Sequence, residues 1–195
     1  MQPGLNPTQT EEARLVEGCL EGSRTHQEAF YKRFASKMFG VVLRYANDRD
    51  TAADVLQDGF VTCFQRLHQF RGDGSLEGWV RRVMVTTAIS HCRRQMRNTE
   101  QADLETAAAA PSPDANALGV MAAEELLALV QELPVGFRTV FNLYAIEGYS
   151  HQEIADALGI SVGTSKSQLN RARESLKKRL QTLYPHAYES AMAAL

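Results

Sequence analysis

The sequence predicts an all-α protein: two small helical domains joined by a flexible linker, the second containing a helix-turn-helix. Three observations carry this. Apolar residues recur at steps of three and four along most of the chain. No stretch alternates apolar and polar residues between turn signals at hairpin spacing. One segment, residues 98–119, is too poor in bulky apolar side chains to offset its ordering entropy. A length of 195 residues allows one ordinary domain or two small ones. A hydrophobic fraction of 44% with 23% charged residues argues against global disorder. No apolar run reaches the roughly 18–20 residues of a membrane span. The N-terminal residues lack the basic-then-apolar pattern of a secretory signal. A cytoplasmic protein with no direct membrane insertion is expected.

Residues 1–24 read as a lead-in. The first domain, 25–97, opens on the stripe Phe30, Phe34, Met38, Val41, Val42 and Tyr45, repeats it with Leu56, Phe60, Phe64 and Leu67, and continues less cleanly with Val80, Val83, Met84 and Thr87. The linker, NTEQADLETAAAAPSPDANALG, has no Lys or Arg, and its two prolines end any helix the alanines start. The second domain, 120–183, carries Leu126, Leu127, Val130 and Leu133, then Phe137, Val140, Phe141 and Tyr144. Residues 184–195 read as a tail.

The second domain holds the sharpest local signal. Ser150 with Glu153 three residues on forms a capping box. Ile154 and Leu158 give a short helix its buried face, small Ala155 allows a close crossing, and Gly159 supplies a left-handed stop. Ser161 is a second N-cap, opening a longer basic helix. A short helix, a turn and a basic second helix fit a DNA major groove. The first turns of that helix reach base edges, so Thr164, Lys166, Ser167, Gln168, Asn170 and Arg171 are the candidates; Gln168 suits adenine and Lys166 suits guanine or phosphate. Arg173, Lys177, Lys178 and Arg179, further along, suit phosphates.

The net charge of −2, from 21 basic and 23 acidic residues, hides a segregation. Arg81, Arg82, Arg93, Arg94 and Arg97 share a stretch without acids, while residues 161–180 hold six cations against Glu174 alone. In the first domain Asp54, Gln57 and Asp58 share one polar helix face. The glycine-containing loop Arg71–Ser75 follows, then Trp79 in the first turn of a basic helix. An aromatic beside cations and a loop can stack on an unpaired base.

Three unpaired cysteines, Cys19, Cys63 and Cys92, at wide spacing fit a reducing compartment and read as small buried hydrophobes. No metal-ligand cluster, phosphate loop or nucleophile elbow appears, so no metal, cofactor or catalytic residue is expected. His26, His68, His91, His151 and His186 are scattered without evident partners.

Taken together, Asp54-Val-Leu-Gln-Asp-Gly-Phe60, the run Phe70-Arg-Gly-Asp-Gly-Ser-Leu-Glu-Gly-Trp79, the basic helix, the linker and the helix-turn-helix resemble bacterial RNA polymerase sigma factors of the extracytoplasmic-function type. The family reads A-x-D-L-x-Q-E-x-F, then F-R-G-x-x-x-F-x-x-W-L, and ends V-G-T-V-K-S-R-L-x-R-A-R. The resemblance runs from about Gln27 to Leu180.

It implies a protein that binds core RNA polymerase, directs it to promoter DNA and helps melt the minus-ten element. Asp54, Gln57 and Asp58 would dock on the clamp helices of the largest subunit, and the second domain would meet the flap of the second-largest. Phe70, Arg71, Asp73, Trp79, Arg81, Arg82, Thr86, Arg93 and Arg94 would engage the minus-ten element. Thr164, Lys166, Ser167, Gln168, Asn170, Arg171 and Arg173 would engage the minus-thirty-five element. The linker would run towards the RNA exit channel, and an anti-sigma factor is an implied partner. The sequence departs from the family pattern at Asp58 (for Glu), Gly59, Thr86 (for Asn), Ser90 (for Asp), Ser165 (for an apolar residue) and Gln168 (for Arg). A stand-alone helix-turn-helix regulator is the alternative; it leaves Asp54 to Arg94 unexplained.

Overall fold

The computed structural model describes residues 7–102 and 121–183, and every regular element among them is helical. In chain order these are α1 (Pro7–Leu20), α2 (Arg24–Leu43), α3 (Arg49–Arg66) with a 3₁₀ turn Leu67–Gln69, α4 (Leu76–Ala102), α5 (Met121–Gln131), α6 (Val135–Phe141) with a π turn Asn142–Ile146, α7 (His151–Leu158) and α8 (Val162–Leu183). The chain divides into two compact units, Met1–Leu43 with Asp48–Ala88, and Arg44–Asn47 with Ile89–Leu195. Helix α4 contributes to both.

In the first unit, α2 buries Phe30, Phe34, Met38, Val41 and Val42 along one side, the stripe that its three-and-four spacing dictates. Facing it, α3 buries Val55, Leu56, Phe60 and Cys63. The Phe30 ring meets Phe34 edge-on at 4.9 Å and lies 5.4 Å from Phe64. Such aromatic pairs add about 0.5–1.5 kcal/mol beyond the area they bury. Helix α4 closes this core with Leu76, Val80, Met84 and Ala88. Val83 and Thr87 lie one residue off that column and are only half-buried. The lead-in is itself helical: α1 packs along α2, and Glu12 pairs with Arg33 at 3.0 Å.

Helix α3 starts where the Asp48 carboxylate accepts the Thr51 amide at 2.7 Å. In its interior, Gly59 faces Met84 so closely that a Cβ there would lie 2.2 Å from the Met84 Sδ. A glycine that costs a helix about 1 kcal/mol relative to alanine therefore has a packing reason.

In the second unit, α5, α6 and α8 enclose Leu129, Val130, Leu133, Ala172 and Leu176, flanked by Phe137, Phe141 and Leu180. An Arg179–Glu132 ion pair ties α8 to the chain after α5. Helix α4 runs on to Ala102, inside the segment expected as linker. The rest of that segment and the tail lie outside the described residues, as does the side chain of Leu126.

Candidate nucleic-acid interface

The helix-turn-helix is built by caps. The Ser150 hydroxyl oxygen accepts the Glu153 amide at 3.2 Å, and the Glu153 carboxylate accepts the Ser150 amide at 2.8 Å. The Ser150 amide foremost, and the Ser150 hydroxyl, which also donates to the Glu153 carboxylate at 2.8 Å, hold that carboxyl below the usual glutamate range. Ile154, Ala155 and Leu158 are buried. Gly159 stops α7 at φ 70°, and its amide and that of Ile160 both donate to the Ala155 carbonyl. Ser161 then accepts the Thr164 amide at 2.9 Å and opens α8. Every capping residue read from the sequence occupies its expected place.

Along α8, Lys166, Ser167, Asn170, Arg171 and Arg173 are exposed, whereas Thr164 and Gln168 are half-buried. Gln168 lies against Gly136 of α6, where a Cβ would stand 3.0 Å from its Nε2, and its Oε1 is buried without a partner. Its amide must leave Gly136 before it can reach a base.

His151, expected to be without a partner, has two. Its Nδ1 lies 2.9 Å from the Ser165 hydroxyl, and its ring stacks on Tyr144 at 4.6 Å. The Arg173 guanidinium sits 5.7 Å over the same Tyr144 ring. Ser165, fully buried where an apolar residue is usual in the resemblance, is thereby satisfied. Tyr144 reaches this position from the π turn, an irregularity that no helical period announces.

In the first unit, Asp54, Gln57 and Asp58 are all exposed on α3. Val61, 54% exposed, stands on the same face one turn on. It was missed because an apolar residue reads as core; its spacing from Gln57 and Asp58 was the available signal. Arg71 and Asp73 are exposed in the loop before α4, where Gly72 takes φ 77°. The Ser75 hydroxyl oxygen accepts the Gly78 amide at 3.0 Å and starts α4. The loop ends pack so that the half-buried Phe70 ring lies 5.9 Å from the half-buried Trp79 ring. Arg82 and Thr86 follow Trp79 by three and seven residues on one face of α4. Arg81 is half-buried on the helix flank. Arg93 and Arg94 are exposed further along α4, in the part that belongs to the second unit. Among the described residues, no group of three or more His, Cys, Asp or Glu could hold a metal ion, and no helix is long and apolar enough to cross a membrane.

Comparison with known proteins places this geometry. Residues 30–98 match the family model described as Sigma-70 region 2, and residues 123–176 match Sigma-70, region 4. The chain is 30% identical to the RNA polymerase sigma-H factor of Pseudomonas aeruginosa, over 92% of this chain and 99% of that protein. It is 30% identical to the ECF RNA polymerase sigma-E factor of Escherichia coli K12, over 87% of this chain and 94% of that one. A solved structure of the sigma factor RpoE with the anti-sigma factor NepR from Bartonella quintana is also similar, at 20% identity and a TM-score of 0.48, over 79% of this chain and 96% of that one.

Proposed function

The chain belongs to the extracytoplasmic-function sigma factors of the sigma-70 family, and we propose that it carries out promoter selection through two separate sets of side chains, one on each matched region. The observation that carries this reading is the order of the parts: an exposed acidic face on α3, an aromatic and cationic surface on α4, and a capped helix-turn-helix, all on one chain.

Asp54, Gln57 and Asp58 dock on the clamp helices of the largest polymerase subunit, where complementary charge sets encounter and register. Val61, exposed one turn further along the same face, adds an apolar contact. Region 4 meets the flap of the second-largest subunit and lays α8 in the major groove of the minus-thirty-five element. Lys166, Ser167, Asn170 and Arg171 face base edges there, and Arg173, held over Tyr144, meets phosphate. Phe70, Arg71, Asp73, Trp79, Arg81, Arg82 and Thr86 trap separated bases of the minus-ten element, with Arg93 and Arg94 on adjoining phosphates. Unstacking a base costs a few kcal/mol, offset by stacking and hydrogen bonds in the trap. The polymerase makes the phosphodiester bonds; this chain binds and positions, works in the cytoplasm and is held in check by an anti-sigma partner.

The test is transcription from genomic DNA with purified core polymerase. With the chain present, defined start sites are expected; without it, none. Asp54→Lys should abolish co-purification with core while the far-UV circular dichroism stays the same. Unchanged binding would exclude that face as the docking surface. A stand-alone regulator would bind its site tightly without polymerase and would not need region 2 at all.

A further inference from the structure

Four side chains of the second unit form a connected group on the helix-turn-helix. Ser165, in the first turn of α8, is fully buried, and its hydroxyl lies 2.9 Å from the His151 Nδ1. His151 opens α7 and stacks on Tyr144 at 4.6 Å with an interplanar angle of 24°. The Arg173 guanidinium stands 5.7 Å over the same Tyr144 ring. The group thus runs from the interior of α8, through the start of α7 and the π turn, back to an exposed cation of α8.

The chemistry of the group selects an anion. A neutral imidazole is a donor at one nitrogen and an acceptor at the other, and the bond made at Nδ1 decides which. When the buried Ser165 hydroxyl donates to Nδ1, the ring proton sits on Nε2, at the ring edge away from Ser165. The half-buried His151 ring then holds one N–H donor in a fixed direction. The other tautomer would leave the Ser165 hydroxyl hydrogen needing a different acceptor in the core. Tyr144, 36% exposed, is already engaged by both His151 and Arg173, so its ring braces them rather than serving an unpaired base as a platform. In a helix-turn-helix the first helix crosses the DNA backbone while the second enters the groove. A donor at the start of α7 and a guanidinium on α8 therefore suit phosphate oxygens of the duplex rather than base edges.

We propose that His151 and Arg173 form a clamp on the phosphate backbone of the duplex upstream element, with Tyr144 and Ser165 as its positioning residues. His151 donates from Nε2 to one phosphate oxygen, and Ser165 sets the tautomer that makes this possible. Tyr144 holds the Arg173 guanidinium within reach of another phosphate. This rests on the sigma reading above, which gives Arg173 its phosphate; the resemblance assigns no contact to His151 or Tyr144 and no role to a buried Ser165.

The experiment uses the full-length chain with core polymerase, at mildly alkaline pH. Binding to a promoter recovered from the genomic transcription assay is measured over a range of salt, with each upstream-element base varied in turn. A Gln side chain can place its amide nitrogen near the position of the imidazole Nε2, whereas Asn reaches only that of Nδ1. His151→Asn should weaken binding about tenfold on every upstream variant. It should leave the base ranking and the salt slope unchanged, because a neutral donor releases no counterion. His151→Gln should restore binding to within about twofold of wild type. Tyr144→Leu should weaken binding about threefold on all variants alike. It should also lower the slope of log affinity against log salt by about 1, as Arg173→Ala does, and add nothing when combined with Arg173→Ala. Tyr144→Phe, which keeps the ring, should keep the wild-type slope. Ser165→Ala added to His151→Asn should cost nothing further. Wild-type binding by His151→Asn, or a Gln variant no better than the Asn one, overturns the phosphate contact. A lower slope in His151→Asn, or a further loss on adding Ser165→Ala, overturns the tautomer. An unchanged slope in Tyr144→Leu overturns the brace, and a reordered base ranking in any variant overturns the clamp as a backbone device. If the wild-type chain with core binds no promoter, the sigma reading fails instead, and the two failures are distinguishable.

Discussion

At the scale of single residues, two departures from the expected pattern acquire physical reasons. Gly59 reads in the sequence as a helix-weakening residue inside α3. The structure shows that a Cβ would collide with the buried Met84 at 2.2 Å. Gly59→Ala should therefore destabilise the protein by about 1–3 kcal/mol through overpacking, even though alanine is the better helix former. Urea denaturation checks this, and a neutral or stabilising result would mean that α3 and α4 do not approach as described. The second departure is Ser165, whose hydroxyl is buried against His151. The sequence displayed both residues, but nothing local links them: they are brought together by the turn between α7 and α8. Val61 illustrates the complementary blindness, since its apolar side chain reads as core in any periodicity argument.

At the scale of elements, the caps were the most legible feature because their chemistry is local. Ser150, Glu153, Gly159 and Ser161 each act within about five residues of themselves. Ser161→Ala should fray the first turn of α8 and cost about 1 kcal/mol of stability. The loss should appear as faster amide hydrogen exchange at Thr164. Glu153 gives a pH signature. Its carboxyl titrates below the usual range because the folded cap holds the charged form. A depressed folded pKa stabilises the fold at pH values above the unfolded glutamate pKa, and the contribution is lost as pH falls through the folded one. An NMR titration should find Glu153 shifted back up in Ser150→Ala. The helical stripes of α2 and α3 were equally legible, since their period of three and four is that of the burial pattern itself. The π turn after α6 and helix α1 were not: the first breaks the period, and the second carries too few bulky apolar residues to announce itself.

At the scale of the whole molecule, charge is organised rather than balanced. Residues 81–97 hold five arginines and no acid; residues 161–180 hold six cations and one acid, so each stretch carries five net positive charges within a chain of net −2. The compensating acids include the exposed Asp54 and Asp58. The free chain should bind duplex promoter DNA only weakly, in the ~10⁻⁴–10⁻⁶ M range of non-specific complexes near physiological salt, with steep loss between 50 and 200 mM salt. Fluorescence anisotropy with and without core polymerase checks this; nanomolar, sequence-specific binding by the chain alone would favour the stand-alone regulator. This segregation was readable directly from the charge runs. The pairing of Gly59 with Met84 was not, because it depends on how two helices cross.

The buried thiols give the two units separate clocks. Cys19, Cys63 and Cys92 are free and inaccessible, and burial pushes each thiol above its ordinary pKa, Cys63 to about 12. An alkylating reagent at neutral pH consequently waits for the chain to open. Cys63 sits in the first unit and Cys92 in the second. The order in which mass tags appear on these two sites during slow labelling reports which unit breathes first, without any engineered probe.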